Sequence, residues 1–566
     1  MQAPESAPAP AEPKTGLVDQ AVRLRGALER AVSELVARPY VTLGVLVVVH
    51  WLAVLAYALT VRHNGWAYYQ GGDQIWLTAT GWLLADGELA PTYVGYGWPL
   101  LLAPLTAVTG PSYVAAMPAV VVFNVLVLAP LVLWAVHGIA ARIAGRAFGL
   151  FAATLWVAAP FMVIPLWRAD YHERYVEQFL PQALGLTALA DYQSLVLLVV
   201  GTYLFVRALD TETALDAAAA GLVVGFAIGT KPSNALFLAA PVAASLVART
   251  WRPAFVFGLA LLPALLTLAV WKQRGLGTLP LFALEETRLA AAAVSLPYVD
   301  RYLDVDWAVL EDNAAHLREY FWSARLLEWL PIAGLLGVAR RTGPLAALLG
   351  VWFGVFLLFK GSDELSRISS GSFFRFMMPA YPAYFLLAAG VLLLVPTVGR
   401  RLAGAWPARP PAPIGKRAVA LLAAGLAALP LAAVGLAQPD RRPPETLFVD
   451  NILTPVDPDI RVDVRVDGES RVVTWRHPSA GRAAVFYRVF RTAADGEDVV
   501  CTERSGGAAD CTLQMLLLGT TREPRWRDGS PPAGAEYRIG IGTNAQDDQD
   551  AGDVFLISPP IDARVR

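Results

Sequence analysis

The sequence predicts a polytopic α-helical membrane protein that continues into a C-terminal all-β sandwich. The first observation is composition: 56% of the 566 residues are hydrophobic and only 16% are charged, whereas a soluble protein carries about 25% charge. The second is a series of long apolar segments before residue 438. The third is a change of period beyond residue 438, where apolar and polar residues alternate as they do in strands.

The N-terminal region, residues 1–40, is expected to form a disordered tail and a cytoplasmic interfacial helix. Its first stretch, MQAPESAPAPAEPK, is rich in Pro and Ala and poor in the residues that build a core. From Gly16 to Arg38 apolar residues recur at helical spacing, with Arg23, Arg25 and Arg30 away from that stripe. The first apolar run begins too late, and is too long, for a cleaved signal peptide.

The transmembrane domain, residues 41–437, is predicted to contain about eleven spans, several of them short for a full crossing. Trp98–Val108 is an additional candidate for a half-span. The eleven candidates are Val41–Thr60, Tyr113–Val136, Phe148–Trp167, Ser194–Val206, Ala217–Gly229, Asn234–Val247, Ala254–Trp271, Leu327–Val338, Pro344–Phe359, Phe374–Val395 and Ala418–Ala437.

The distribution of Lys and Arg in short loops predicts a cytoplasmic N-terminus. In that orientation the loop Thr397–Arg417, which has five basic residues and no acid, is cytoplasmic. The loop with Asp210, Glu212 and Asp216 is an exception to the rule. The external loops are then 61–97, 168–192 and 272–326, and the C-terminal domain, residues 438–566, is extracytoplasmic. The expected location is a bacterial plasma membrane, with the lipid bilayer as the main partner.

The C-terminal domain is predicted to be a sandwich of short antiparallel strands. The segments RVVTWRHP, AVFYRVFRTA, EYRIGIGTN and GDVFLISPPI alternate apolar and polar residues between turns. They resemble the fibronectin type III domain, with Trp475 at the position of its core Trp and Tyr537 at that of its late-strand Tyr. Cys501 and Cys511, in a domain expected outside the cytosol, predict a hairpin disulfide, with a reduced pair as the alternative.

An acid in the first external loop is the candidate for catalysis. In YYQGGDQIWLTATGWLLADGELAP two glycines precede Asp73, and a short helix follows. Asp73 is expected to cap this helix, and an apolar stripe that includes Trp76 and Trp82 predicts that the helix lies at the membrane interface. A carboxylate at that depth can accept a proton from an incoming hydroxyl as a general base. Capping without catalysis is the alternative.

Three segments carry a resemblance to the GT-C glycosyltransferases, integral-membrane enzymes that take sugars from polyprenyl-phosphate donors. The first is GGDQIWLTATGWLLADGELAPTYVGYGWPLLLAPL, which resembles their first external loop. The others are SFFRFMMPAYPAYFLLAAG, similar to the start of a late span, and GFAIGTKPSNALF. The likeness covers residues 41–395 and implies a GT-C-like fold, a polyprenyl-phosphate sugar as substrate, and a glycan, lipid or protein acceptor. Many relatives have a second acid where this chain has Gln74, so a paired-acid metal site is not implied, although an assisting divalent metal stays open.

The chemistry of the implied donor needs one base rather than two carboxylates. Hydrolysis of a glycosidic bond normally uses a second carboxyl group to protonate a poor leaving group, but a polyprenyl phosphate is already a good one. Asp73 is therefore predicted to act alone as the base of an inverting displacement. Cations near outer span ends are predicted to bind the departing phosphate, with snorkelling to lipid headgroups as the alternative. These cations are Lys231, Arg375, Arg367 and Lys360.

The second external loop supplies candidates for an acceptor-binding wall. The stretch RADYHERYVEQFLPQ contains Asp170, His172, Glu173 and Glu177, and three of these share one face if it is helical. A solvated loop helix with internal ion pairs is the alternative. Six histidines and two cysteines leave little material for a Cys/His metal centre, so no metal ligands are assigned.

The sequence therefore predicts a membrane glycosyltransferase that works on the outer face of the plasma membrane. A transporter or flippase of a lipid-linked substrate is the alternative, but charges within spans are scarce and no internal repeat is found. The formal net charge of -1 gives no basic signature, so no nucleic-acid partner is expected. The Ala-, Arg- and Pro-rich composition is typical of a high-GC bacterium such as an actinobacterium, for which a cell-wall acceptor is expected.

Overall fold

A computed structural model describes most residues of the chain. They are residues 16–60, 72–90, 94–163, 180, 182–277, 279, 303–320, 325–368, 372–403, 414–439, 445–449, 452–477, 485–494, 513, 515–543 and 553–562. The predicted disordered tail and the pair Cys501 and Cys511 lie outside them.

The first part of the chain is helical. Up to residue 277 the helices are α1 (Gly16–Ala37), α2 (Pro39–Thr60), α3 (Asp73–Ala85), α4 (Gly97–Thr109), α5 (Tyr113–Val122), α6 (Ala129–Ala144), α7 (Arg146–Val163), α8 (Asp191–Thr211), α9 (Ala214–Thr230), α10 (Ala239–Ala248) and α11 (Trp251–Leu276). A π-helical turn, Phe123–Leu128, joins α5 to α6, and a 3-10 helix, Pro232–Leu238, leads into α10.

Shorter helices follow and precede the β region. They are α12 (Trp307–Tyr320), α13 (Leu326–Ala339), α14 (Gly343–Gly361), α15 (Ser372–Met377), α16 (Tyr381–Gly390), α17 (Pro396–Ala403), α18 (Lys416–Ala423) and α19 (Leu429–Leu436). The turn Met378–Ala380 links α15 to α16, and the π-helical turn Ala424–Ala428 links α18 to α19.

Each predicted span overlaps an apolar helical segment of the described residues, but these segments differ in length. Within the described residues, 7 are long and apolar enough to cross a membrane alone, and five more are apolar but shorter. The short group includes α4, the predicted half-span, and both α9 and α13. The segment Tyr113–Ala144 runs for 32 residues and extends beyond the predicted end at Val136, because its last α-helix continues to Ala144. The count of about eleven crossings stays a prediction.

Helices α8 and α9 form a buried antiparallel hairpin. α8 has 21 residues, which corresponds to about 30 Å of helix. It ends at Glu212 in the left-handed conformation (φ 52°), and the Thr213 hydroxyl then caps α9 by accepting from the Asp216 amide. Asp191 at the start of α8 and Lys231 just after α9 are consequently placed at the same end of the bundle.

Helix α3 is buried on nearly all sides, so the prediction that Trp76 faces lipid is wrong, and the position of the helix at the membrane interface stays a prediction. Trp76 lies in an apolar cluster and stacks at a tilt on Phe448, with ring centroids 5.7 Å apart. Gln74, Thr78 and most of the apolar positions are also buried. The stripe of apolar residues packs against α4 and the C-terminal region instead of lipid.

The C-terminal region is built of antiparallel sheets, as the alternation of residues predicts. Its main strands are β3 (Thr446–Val449), β4 (Ile452–Pro455), β5 (Arg461–Asp467), β6 (Ser470–Arg476), β7 (Val485–Thr492), β8 (Met515–Thr521), β9 (Arg525–Asp528), β10 (Glu536–Thr543), β11 (Asp553–Ile557) and β12 (Ile561–Asp562). One sheet has the order β5-β6-β9, a second has β11-β10-β7-β8 with β12 on β10, and β3 pairs with β4.

The two larger sheets share one core. Trp475 on β6 packs edge-to-face on Tyr487 of β7, with ring centroids 5.2 Å apart. The hydroxyl of buried Tyr537 on β10 donates to Asp528 of β9 at 2.8 Å, which links the sheets with a polar bond. The expected core Trp and late Tyr therefore occupy the interior, and membership of the fibronectin type III family stays a prediction.

The β region packs on the end of the helical part that carries α3. A parallel pair of two-residue strands joins β1 (Glu88–Leu89), just after α3, to β2 (Gln438–Pro439), just after α19. Tyr113 at the start of α5 contacts Phe555 of β11 edge-to-face, with centroids 5.2 Å apart. The predicted catalytic loop and the C-terminal domain therefore lie on the same side of the bundle.

Candidate functional site

Asp73 is the first residue of α3 and not its cap. Gly72 occupies the N-cap position, with helical φ and ψ and no side-chain cap bond, so the prediction that Asp73 caps the helix is wrong. Its carboxylate instead accepts a hydrogen bond from Nη2 of Arg375. The positive end of the helix dipole favours the ionised form of an acid in the first turn, and 25% of the Asp73 side chain is exposed.

Asp191 is a second carboxylate of the site, and the sequence reading missed it. It begins α8 with its side chain only 2% exposed, and its Oδ2 accepts from Nε of Arg375 at 3.2 Å. Its Oδ1 accepts from Nζ of Lys231. One feature of the sequence could have identified it: Asp191 is an acid at the very start of a long apolar segment, DYQSLVLLVV.

Lys231 points into the site because the chain leaves the helix there. The backbone turns extended at Lys231 (φ -138°, ψ 104°) after α9 ends, since Pro232 disfavours the α conformation of the residue before it. Besides Asp191, the Lys231 ammonium donates to the carbonyl oxygen of Arg375 at 3.3 Å. The lysine thus fixes both the acid and the backbone that bears the arginine.

Phe376 is surrounded by the cations of the site. Nζ of Lys231 lies 5.2 Å from the ring centroid, Nζ of Lys360 lies 5.3 Å from it, and Cζ of Arg375 lies 5.8 Å from it. All three distances fall within the range of cation–π attraction. Lys360, in the last turn of α14, also donates to the carboxylate of Asp363. The ring therefore adds cation–π attraction to the ion pairs that hold these three cations.

These side chains line a cleft of about 120 Å³. Three carboxylates and three cations meet there, and each described cation of the set is paired with a carboxylate. Gly95 lies at the wall, where a Cβ would collide with the Gly229 carbonyl oxygen. The lining is completed by Asp73, Leu77, Val94, Ala190, Asp191, Thr230, Lys231, Pro232, Ser233, Lys360, Asp363, Arg375 and Phe376.

A buried segment before α8 holds Asp191 in place through its backbone. The side-chain oxygen of Gln74 accepts from the Ala188 amide at 2.8 Å, and the Trp98 indole donates to the Ala188 carbonyl at 2.6 Å. Asn124 in the π-helical turn donates to the Gly185 carbonyl at 2.9 Å; π-helical turns are frequent at functional sites. Gln74 therefore binds the buried segment that leads into Asp191, the second acid of the site.

The remaining sequence candidates are placed apart or lie outside the described residues. Arg367 is 34% exposed and is paired with Glu364 at 2.8 Å and Asp312 at 3.1 Å; it is not among the described residues that line the cleft. Asp170, His172, Glu173 and Glu177 lie outside the described residues. Asp363 and Phe376, which do line the cleft, were not singled out by the sequence.

The described residues offer a poor fit for a divalent metal. No group of three or more His, Cys, Asp or Glu side chains within them is arranged to hold one. Oxygens of Asp73 and Asp191 accept from Arg375 and Lys231, and Gln74 directs its oxygen to a backbone amide.

Comparisons with known proteins give a distant structural likeness. No protein-family model and no curated protein match the chain. It is similar to the oligosaccharyltransferase of Archaeoglobus fulgidus in its apo form, with 14% identity and a TM-score of 0.37 over 71% of this chain and 56% of that one. It is also similar to the archaeal oligosaccharyltransferase AglB from Archaeoglobus fulgidus in complex with an inhibitory peptide and a dolichol-phosphate, with 14% identity and a TM-score of 0.38 over 72% and 57% of the two chains. The chain thus spans less than two thirds of the length of these structures, and neither likeness assigns a family or an activity to it.

Proposed function

We propose that this protein is an integral-membrane glycosyltransferase. It moves a sugar from a polyprenyl-phosphate donor to a hydroxyl of a cell-wall glycan, lipid or protein at the outer face of a bacterial plasma membrane. The observation that carries the proposal is the convergence of Asp73, Lys231 and Arg375, from three distant parts of the chain, on one cleft at the end of an apolar helical bundle. A carboxylate and phosphate-binding cations are the two kinds of group that this reaction requires.

The cations suit a phosphate that leaves at the membrane surface. Arg375 presents a planar guanidinium and Lys231 and Lys360 present ammonium groups within the same cleft. Arginine binds phosphate oxygens through paired hydrogen bonds, and fixed cations stabilise negative charge as it develops on a leaving group. The prenyl chain would remain among the apolar helices while its phosphate reaches the cleft.

Asp73 is assigned as the general base of a direct displacement. It takes the proton of the acceptor hydroxyl as that oxygen attacks the anomeric carbon from the side opposite the phosphate. The new bond between the acceptor oxygen and the anomeric carbon forms while the bond from that carbon to the phosphate oxygen breaks. The electron pair leaves with the polyprenyl phosphate, the anomeric configuration inverts, and the proton on Asp73 later passes to water.

The test is transfer by the purified full chain in lipid nanodiscs, given a panel of polyprenyl-phosphate sugars and a cell-wall glycan extract. Mass spectrometry of the glycans should detect one added sugar, and nuclear magnetic resonance should show an inverted linkage. Asp73→Asn should lower the rate by about two to four orders of magnitude, the range of general-base catalysis. Near-normal transfer by this variant would refute the assignment of Asp73.

A matched control is available on the same hairpin of helices. Asp210→Asn removes an acid that is paired with Arg142 near the other end of α8, and it should leave transfer unchanged. The transporter alternative is tested in parallel by flux of a labelled lipid-linked sugar across liposomes. Flux of the lipid-linked sugar without any transfer product would show that the protein is a flippase and would refute the proposed glycosyltransferase.

A further inference from the structure

One guanidinium serves two carboxylates of different exposure. Arg375 donates from Nη2 to Asp73 and from Nε to Asp191. The Asp73 side chain is 25% exposed, but that of Asp191 is 2% exposed. The bond to Asp73 therefore lies on the open side of the cleft, and the bond to Asp191 lies behind it.

Asp191 is better placed to anchor than to react. It binds Lys231 through one oxygen and Arg375 through the other, and its backbone continues the buried segment held by Gln74 and Trp98. Breaking a buried ion pair is costly because it leaves a charge without compensation. The two cations are consequently held by Asp191 whether or not Asp73 remains bound.

The pairing of Asp73 with Arg375 conflicts with the proposed role of a base. A carboxylate oxygen that accepts from a guanidinium is stabilised in its charged form and is a poor proton acceptor. A phosphate competes for the same guanidinium, because Arg forms strong, charge-assisted bonds with either anion. The competition takes place at the exposed edge of Arg375, where Asp73 is bound.

We propose that the donor phosphate displaces Asp73 from Arg375, and that this exchange frees Asp73 to act as the base. Asp191 is the positioning residue that holds Arg375 and Lys231 during the exchange. No covalent bond or proton moves in this step; one anion replaces another on the guanidinium. The inference rests on the proposed function, and it implies that the donor binds before the acceptor is activated.

The exchange predicts that the loss of the proposed catalytic acid strengthens phosphate binding instead of weakening it. In the unliganded protein Asp73 opposes the phosphate, so Asp73→Asn should tighten binding of undecaprenyl phosphate. We expect about threefold to tenfold, the scale of a partly exposed ion pair. Binding is measured by titration of the full chain in phosphatidylcholine nanodiscs, with inorganic phosphate in a second series to separate the phosphate contribution from that of the prenyl chain.

A double-mutant cycle separates exchange from simple repulsion between Asp73 and the phosphate. In an Arg375→Ala background the remaining cations, Lys231 and Lys360, still bind the phosphate, and Asp73→Asn should no longer tighten it. Tightening of the same size in that background would overturn the exchange, and so would unchanged or weaker binding by Asp73→Asn alone. Asp73→Ala should also tighten binding of undecaprenyl phosphate, as Asp73→Asn does. Agreement between the two variants excludes a defect that is specific to one of them.

The matched control is Asp312→Asn. Asp312 pairs with Arg367 outside the cleft, so this variant should bind undecaprenyl phosphate as the parent does. The binding cycle uses neither sugar nor acceptor, and its result is independent of transfer. A chain that transfers sugar but shows no tightening refutes the exchange alone, whereas the expected cycle without any transfer refutes the glycosyltransferase and leaves the exchange.

Discussion

The two ends of the α8–α9 hairpin both collect acids and bases, but they use them differently. At one end Asp191 and Lys231 line the cleft with Asp73 and Arg375. At the other end Asp216 is fully buried and accepts from two threonine hydroxyls, Thr211 and Thr213, each at 2.9 Å. It also pairs with Arg207 at 3.5 Å and accepts from the Ile414 amide at 3.1 Å.

The difference is whether the carboxylate oxygens are used by the local fold. Asp216 ties the end of α8, the start of α9 and the segment before α18, so its oxygens are committed to structure. In the nearby pair of Asp210 and Arg142, the guanidinium also lies over the ring of Tyr203, with its Cζ 5.1 Å from the ring centroid. Charge composition alone therefore does not mark a site; at the first end the charged side chains also line a cleft.

After Asp73→Asn, the largest expected effect on transfer is the loss of Arg375, the arginine that Asp73 and Asp191 share. Arg375→Ala should lower transfer by about two to three orders of magnitude, the usual loss when one preorganised donor to developing charge is removed. Steady-state rates with a saturating acceptor measure it. Arg142→Ala breaks the ion pair with Asp210 at the other end of the hairpin and should retain the parental kcat/KM per folded molecule. An equal loss of activity in this variant would show that the two ends do not differ in their importance for transfer.

Asp216→Asn tests the comparison from the structural side. It removes the charge partner of Arg207 and weakens buried hydrogen bonds, so the free energy of unfolding should fall by about 1–3 kcal/mol. Thermal unfolding in detergent measures it, with transfer assayed below the transition. Lost transfer by a fully folded Asp216→Asn protein would show that this end takes part in the reaction.

The smallest effect is expected for the third cation of the cleft. Lys360 is already paired with Asp363, so Lys360→Met should raise the KM for the donor by about twofold to fivefold with little change in kcat. Donor titrations with both values fitted are the measurement. The matched comparison is Arg367→Met, since Arg367 pairs with Asp312 and Glu364 outside the cleft. A larger rise in the KM for the donor in that variant would show that Arg367 binds the donor phosphate.

The sequence identified part of the site and missed the rest for one reason. Asp73, Lys231 and Arg375 stand next to recognisable motifs, so local patterns suggested them. Asp191 lies outside those motifs. Phe376 lies within one, directly after Arg375, but its proximity to Lys231 and Lys360 depends on parts of the chain that are distant in sequence. Trp76 shows the same limit, because an apolar stripe is identical whether lipid or a β strand covers it.

The sequence by itself determined the apolar helices, the strand-forming tail and the set of charged residues near helix ends, because periodicity and composition are local properties. The tertiary structure decided which acid meets which cation, as in the pair of Asp73 and Arg375, 302 residues apart. It also decided that α3 is covered by protein and that Gln74 holds a buried segment. Ion pairs and hydrogen bonds act over a few ångströms, so only the folded chain brings their partners within range.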